Sequence, residues 1–384
     1  MVWRLTERHG RLLAAGLGAA CAAYFGLYAI ATLQQPGPFR FGDFFALWSY
    51  GRVLVAHPAA GLYDPAALLA HQQALGMPAA DSNPFPYPPS FLPALWPLGW
   101  LSYNVAYVAF GGGSFVLYLL AVGLAAPRPR LPLLLFAAVA PTTTLTLVAG
   151  QTGLLAAALF LGGMRLLPAR PLLGGALLGL LAYKPQLGVL IPVALIAARQ
   201  WQAIAAAVAA AVLMGVATSA AFGWQIWADW LAYLPAYADQ FARESTQNEH
   251  LMPTLTANLR MLGVPDGIAR AAQGTLALLA GIWVWRSSRN VLGPRATLVL
   301  ATACFLATPH AFVYDLPLLT GALLLFVASR AHAAFSLLEV VALTLALAFP
   351  VVMAHAAVPL STVCLGLLAT ALIAHPGAPA PAPL

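Results

Sequence analysis

The stretch LLAAGLGAACAAYFGLYAIATL, residues 12–33, decides what kind of protein this is. Its 22 residues carry no charge, and about 20 apolar residues in a helix suffice to cross a bilayer. Arg4, Arg8 and Arg11 precede it, and Ala29-Ile30-Ala31 imitates a leader-peptidase site. The apolar run of a secretory leader is about 7–15 residues long. Residues 12–33 therefore read as an uncleaved first membrane helix.

The rest of the chain agrees with this reading. Of its 384 residues 61% are hydrophobic and 8% charged, whereas a soluble domain has about 25% charged residues. Too few polar groups remain to cover a water-facing surface. A disordered chain would be polar and poor in aromatics, and an outer-membrane barrel would alternate apolar with polar residues. Further apolar runs lie at 102–125, 131–149, 152–167, 170–183, 186–198, 201–222, 268–285, 296–309, 315–329, 333–353 and 356–374, while 91–100 is too short to span. The expected fold is all-α: one polytopic membrane domain over 1–374 with about twelve transmembrane helices, followed by a disordered tail, 375–384. Gly111-Gly-Gly113 lies inside a span and is read as a close helix contact.

Net charge is +7, and 17 of the 18 basic residues are arginine. With the N-terminus in the cytoplasm, twelve of them fall on the cytoplasmic side and six on the other, the bias expected of membrane topology. If 170–198 were one span kinked at Pro185 rather than two short helices, everything after it would invert with a similar bias, so charge leaves the parity open. No Lys/Arg run suggests a nucleic-acid surface. Cys21, Cys304 and Cys364 each sit in an apolar run without metal-ligand spacing and read as small buried hydrophobes. No metal or cofactor is expected.

Two segments, 34–90 and 223–267, are polar and aromatic and are placed outside the membrane. In the first, Asp43–Ala56 reads as an interfacial helix, and Asp64-Pro65 opens a second short helix to Leu75. In the second, Trp224, Trp227 and Trp230 mark a helix lying on the membrane surface.

Phosphate loops, dinucleotide fingerprints, zinc helices and nucleophile elbows are all missing. Ionisable groups in or beside apolar runs come next, because burying them is costly. Asp43 reads as a helix cap or as a general base, and composition favours the cap. Lys184, the chain's one lysine, stands apart from the cytoplasmic arginines and suits a phosphate. His310 and Asp315 either pair with each other or bind an anion together with Lys184. Gln151 suits exposed backbone or a sugar hydroxyl, and the proline-rich loop around Tyr87 either shapes a pocket or ends helices. Glu339 calls for a local partner such as Arg330 or His332.

Asp43-Phe-Phe-Ala-Leu-Trp48, Gly51-Arg52, Leu62-Tyr-Asp-Pro65 and Pro84-Phe-Pro-Tyr-Pro-Pro89 together resemble the amino-terminal half of glycosyltransferase family 87. Gly150-Gln151, Tyr183-Lys-Pro-Gln186, Thr308-Pro-His310 and Tyr314-Asp-Leu316 match further landmarks in order, so the resemblance covers roughly 40–330. It implies a GT-C-type enzyme of the bacterial plasma membrane with an extracytoplasmic active site. A hexose, mannose first among them, would pass with inversion from a polyprenyl-phosphate donor to a lipid or glycan acceptor. The resemblance makes Asp43 the catalytic base. With such a donor, Lys184 and His310 are expected to meet the charge of the departing phosphate, and Tyr87, Gln151, Arg52, Tyr314 and Asp315 are the expected substrate pocket. The chain departs from the family in its short second outer segment and in the lack of a soluble carboxy-terminal domain. The rival class is a lipid or sugar flippase or transporter, which would share the buried Lys and His and need no catalytic base. A membrane scaffold is a third class.

Overall fold

The computed structural model describes residues 7–34, 43–78, 83–127, 130–244, 248–289, 292–330 and 335–375, and among these no strand occurs. Helix α1 (Glu7–Gln34) runs unbroken through residues 12–33. Two short helices follow outside the bundle, α2 (Phe44–Ala56) and α3 (Pro65–Ala74), within a residue of the sequence expectation. Asp64 caps α3 as read: its carboxylate accepts from Ala66 N at 3.0 Å and Ala67 N at 3.1 Å. Short helical turns over 89–100 fold back on α2, where Arg52 Nη1 donates to Gly99 O at 3.0 Å and Trp48 Nε1 to Leu101 O at 3.0 Å.

The bundle continues through α4 (Tyr103–Ala125), α5 (Leu131–Val139), α6 (Pro141–Ala149), α7 (Gly153–Leu166), α8 (Pro171–Tyr183), α9 (Pro185–Ala197) and α10 (Trp201–Phe222). After the outer helices α11 (Gln225–Glu244) and α12 (Leu255–Met261) come α13 (Asp266–Ser287), α14 (Pro294–Ala307), α15 (Pro317–Ser329), α16 (Leu337–His355) and α17 (Ser361–Ala374). Among the described residues α4, α10, α13 and α16 are each long and apolar enough to cross a membrane, and α5 with α6, bent by 48°, makes a fifth if counted as one span. By length alone that is fewer than about twelve. Proline is the reason: Pro141, Pro171, Pro185, Pro294 and Pro317 each start a helix and divide the apolar runs into pieces of 10–17 residues or fewer.

The order of contacts shows how the pieces run. A Cβ on Gly175 would stand 2.1 Å from Ala203 O, and one on Gly179 2.2 Å from Ala207 O. Both partners advance by four residues in the same direction, so α8 and α10 are parallel and begin at the same end of the bundle. The α8–α9 pair is therefore a hairpin returning to its starting end, with Lys184 at the tip. The two-helix alternative for 170–198 is the one adopted.

The far end collects arginines. Arg165 Nε donates to Leu124 O at 3.1 Å, Arg295 Nη2 donates to Leu372 O, and Arg330 pairs with Glu339. Glu339 sits in the first turn of α16 and also accepts from Ser336 N at 2.8 Å, a capping box, so its partner is local as expected. Its other candidate partner, His332, lies outside the described residues, as does the tail from 376. The glycine triplet fails as a contact: nothing lies within 4 Å of a Cβ on Gly112 or Gly113, and Val108–Gly112 forms a π turn instead. The three cysteines are free and buried.

Candidate functional site

The end of the bundle opposite those arginines holds a polar cavity of about 230 Å³, built from four joints. The first is the start of α2. Asp43 occupies the N-cap position, yet its side chain makes no capping hydrogen bond. Its Oδ2 accepts from Gln151 Nε2 at 3.2 Å instead. Tyr50, two helical turns on and therefore on the same face, also lines the cavity.

The second joint is the proline-rich loop. Tyr50 Oη donates to Pro84 O at 2.7 Å, and Gln72 Nε2 donates to Asn83 O at 3.0 Å, which fixes the loop to α2 and α3. Phe85 and Tyr87 are thereby buried, and Tyr87 Oη reaches Gln151 Oε1 at 3.4 Å.

The third joint is the turn between α6 and α7. Gly150 ends α6 in the left-handed region at φ 66°, where a side chain would be strained. A Cβ on Gly153 would stand 1.7 Å from Tyr314 O, so only glycine lets α7 begin against the 313–315 turn. Thr146 Oγ1 donates to Tyr314 O at 2.8 Å and secures that contact. Gln151 is consequently carried to the cavity beside Asp43.

The fourth is the tip of the α8–α9 hairpin against 308–315. Lys184 Nζ lies 2.5 Å from Asp315 Oδ1 and donates to Thr152 Oγ1 at 3.1 Å, the two charged side chains being 5% and 1% exposed. Asp315 Oδ2 accepts from Phe312 N at 3.1 Å. The partner of Lys184 is thus Asp315, and His310 does not pair with that carboxylate; its ring stands edge-on to Phe241, centroids 4.4 Å apart.

Asp43, Tyr87, Gln151, Lys184, His310, Tyr314 and Asp315 all border this one cavity, as the sequence reading grouped them. Arg52 does not: it reaches away to Gly99 O, on the far face of α2. The sequence reading missed Tyr50, Thr152, Tyr237 and Phe241. Tyr50 had a signal, its seven-residue spacing from Asp43, and Thr152 stands next to Gln151; Tyr237 and Phe241 sit on a distant element and had none.

The electrostatics separate the groups. Asp43 is exposed at the cavity, yet desolvation by the protein packed around it pushes its carboxyl above the ordinary value, and the Gln151 hydrogen bond partly offsets this. Burial pushes His310 down to about 4, with Asp315 opposing and Lys184 adding to the shift. At neutral pH the imidazole is uncharged and offers a hydrogen bond, not a cation. Lys184 and Asp315 cancel, so the groups at the cavity able to take up a proton are the Asp43 carboxylate and the neutral His310 ring. Among the described residues no three His, Cys, Asp or Glu side chains converge as a metal set.

A second cavity of about 530 Å³ adjoins the first and shares Tyr237, Phe241 and His310 with it. Its walls are largely apolar, with Arg260 and Arg270 at the border, both bridged to Asp266.

A model of glycosyltransferase family 87 matches residues 85–309, more than half of the chain. No curated protein and no solved structure matches.

Proposed function

The chain belongs to glycosyltransferase family 87, and from that membership we propose that it transfers a hexose, mannose by preference, from a polyprenyl-phosphate donor to a lipid or glycan acceptor with inversion. It is a glycosyltransferase with membrane-crossing helices; donor, sugar, acceptor and orientation are the proposed part. The observation that carries the proposal is Asp43: a carboxylate at a helix start that makes no cap, opens on a polar cavity and has a raised proton affinity.

The acceptor hydroxyl lies beside Asp43, which takes its proton as the acceptor oxygen attacks the anomeric carbon. The bond from that carbon to the phosphate oxygen breaks, and polyprenyl phosphate leaves with the electron pair. Base catalysis of this kind contributes roughly 10²–10⁴-fold. Neutral His310 and the remaining N–H of Lys184 face the departing phosphate, whose added charge they meet with hydrogen bonds. Tyr87, Gln151, Tyr314 and Asp315 bound the sugar. The prenyl chain occupies the apolar cavity that shares His310 with the polar one.

This reading treats 1–374 as a single membrane domain in which 34–90 and 223–267 lie outside a bacterial plasma membrane. It counts twelve passages, α1, α4, α5 with α6, α7 to α10 and α13 to α17. The parallel α8–α10 pair supports the even number between 170 and 199, and the arginines away from the cavity support an extracytoplasmic site.

The test is to incubate the purified protein with a synthetic polyprenyl-phosphate mannose and a membrane lipid extract, and to measure released polyprenyl phosphate and the configuration of the product. Release with an inverted product is expected. Movement of the intact donor across proteoliposomes without release would mark a flippase and end the proposal.

A further inference from the structure

Gln151 touches two groups whose roles differ. Its amide nitrogen donates to Asp43 Oδ2 at 3.2 Å, and its amide oxygen accepts from Tyr87 Oη at 3.4 Å. A primary amide has one end that donates and one that accepts. The ionised carboxylate only accepts, so it takes the amide's N–H end, and the Tyr87 hydroxyl, which can donate or accept, meets the oxygen end. The backbone commits to this arrangement through the left-handed Gly150 and the Gly153–Tyr314 abutment, both of which leave position 151 little freedom. Asp43, for its part, has given up the cap role that would otherwise orient it.

We infer that Gln151, with Tyr87 at its oxygen end, is a positioning residue: it holds the Asp43 carboxylate ionised and aimed with its other oxygen free for the acceptor proton. This rests on Asp43 being the base.

The other titratable groups facing Asp43 do not supply this control. Tyr50 from α2, Tyr87 from the proline-rich loop, Tyr183 from the hairpin tip, Tyr237 from α11 and Tyr314 are neutral phenols at working pH. Lys184 and Asp315 neutralise each other across 2.5 Å. His310 carries no charge well above about 4. A neutral amide is thus the group that distinguishes ionised from protonated Asp43.

The experiment reads Asp43 directly. Infrared difference spectra of the full-length protein in detergent, taken between acid and neutral pH with Asp43→Asn as the reference, isolate its carboxyl stretch and give its midpoint. Gln151→Ala should raise that midpoint by about one unit, because a hydrogen bond to a charged group is lost. Gln151→Glu should raise it further, since two carboxylates then share the site. Tyr87→Phe should give a smaller rise of the same sign, and it serves if the Gln151 variants do not fold. With polyprenyl-phosphate mannose as donor probe, the acid limb of kcat/KM should move with the midpoint, while KM for the donor holds. An unchanged midpoint in folded Gln151→Ala, or in Tyr87→Phe where the former does not fold, overturns the inference. Loss through a raised donor KM alone also overturns it, and makes Gln151 a sugar ligand. Transfer that survives in Asp43→Asn instead ends the base reading, and the spectra still report whether Gln151 sets the carboxyl midpoint.

Discussion

Two aspartates border the same cavity and are treated in opposite ways. Asp315 is buried, ion-paired to Lys184, and accepts from the backbone of Phe312. Asp43 has a neutral amide for a partner and leaves its helix uncapped. A fully satisfied carboxylate has no reason to take a proton, so Asp315 is a clamp that joins α7, the hairpin tip and the 308–315 turn. Asp43, exposed at the cavity with one side-chain hydrogen bond, keeps an oxygen open to a proton. The contrast sets a held carboxylate beside an open one in a single cavity.

The largest expected effect comes from breaking the clamp. Lys184→Met leaves Asp315 buried and uncompensated, and removing one partner of a buried pair costs about 3–5 kcal/mol. The thermal unfolding midpoint in detergent should fall sharply. Adding Asp315→Asn should recover much of the stability, because the amide still accepts from Phe312 N. If Lys184 also serves the donor phosphate, the double variant will remain impaired in donor use. Full donor kinetics in the double variant would restrict Lys184 to the clamp.

Next comes Asp43→Asn. Transfer should drop at least about 100-fold. Stability should hold or rise at neutral pH, and the sign follows from the raised proton affinity: folding favours the protonated form, so ionised Asp43 costs stability above its folded pKa. A large fall in unfolding midpoint would mean that Asp43 is structural after all.

The same shift sets the pH profile. Activity needs the carboxylate, so kcat/KM should decline as pH is lowered through a value above the ordinary Asp range of about 4. A limb at or below that range would contradict the raised proton affinity of Asp43.

Much of this contrast was legible in the sequence, but not the assignment of roles. Asp64-Pro65 announced a cap and is one, since capping is local and needs only the next three residues. Glu339 was similarly local, its partner Arg330 lying nine residues before it. The Lys184–Asp315 pair spans 131 residues, and no spacing rule reaches that far. The parity of 170–198 was equally hidden: both foldings gave a similar arginine bias, and the registry of Gly175 with Ala203 exists only in three dimensions. Arg52 could have been placed correctly. Nine residues from Asp43 at about 100° per residue is half a turn, the opposite face of α2.

The smallest effect is the control that makes the rest interpretable. Asp64 is of the same residue type as Asp43 and stands at an equivalent helix start 21 residues on, but its carboxylate accepts from two backbone amides of α3. Asp64→Ala should cost about 1 kcal/mol of stability, the usual value of a lost N-cap. Transfer should stay near the parent level, because Asp64 does not border the cavity. Asp43→Asn and Asp64→Ala thus predict opposite outcomes on two axes, activity lost with stability kept in one and stability lost with activity kept in the other. A transfer defect in Asp64→Ala comparable to that of Asp43→Asn would show that α3 and the loop it holds through Gln72 set the cavity's shape more tightly than the capping geometry requires. The distinction between cap and base would then have to be drawn at the loop, not at Asp43.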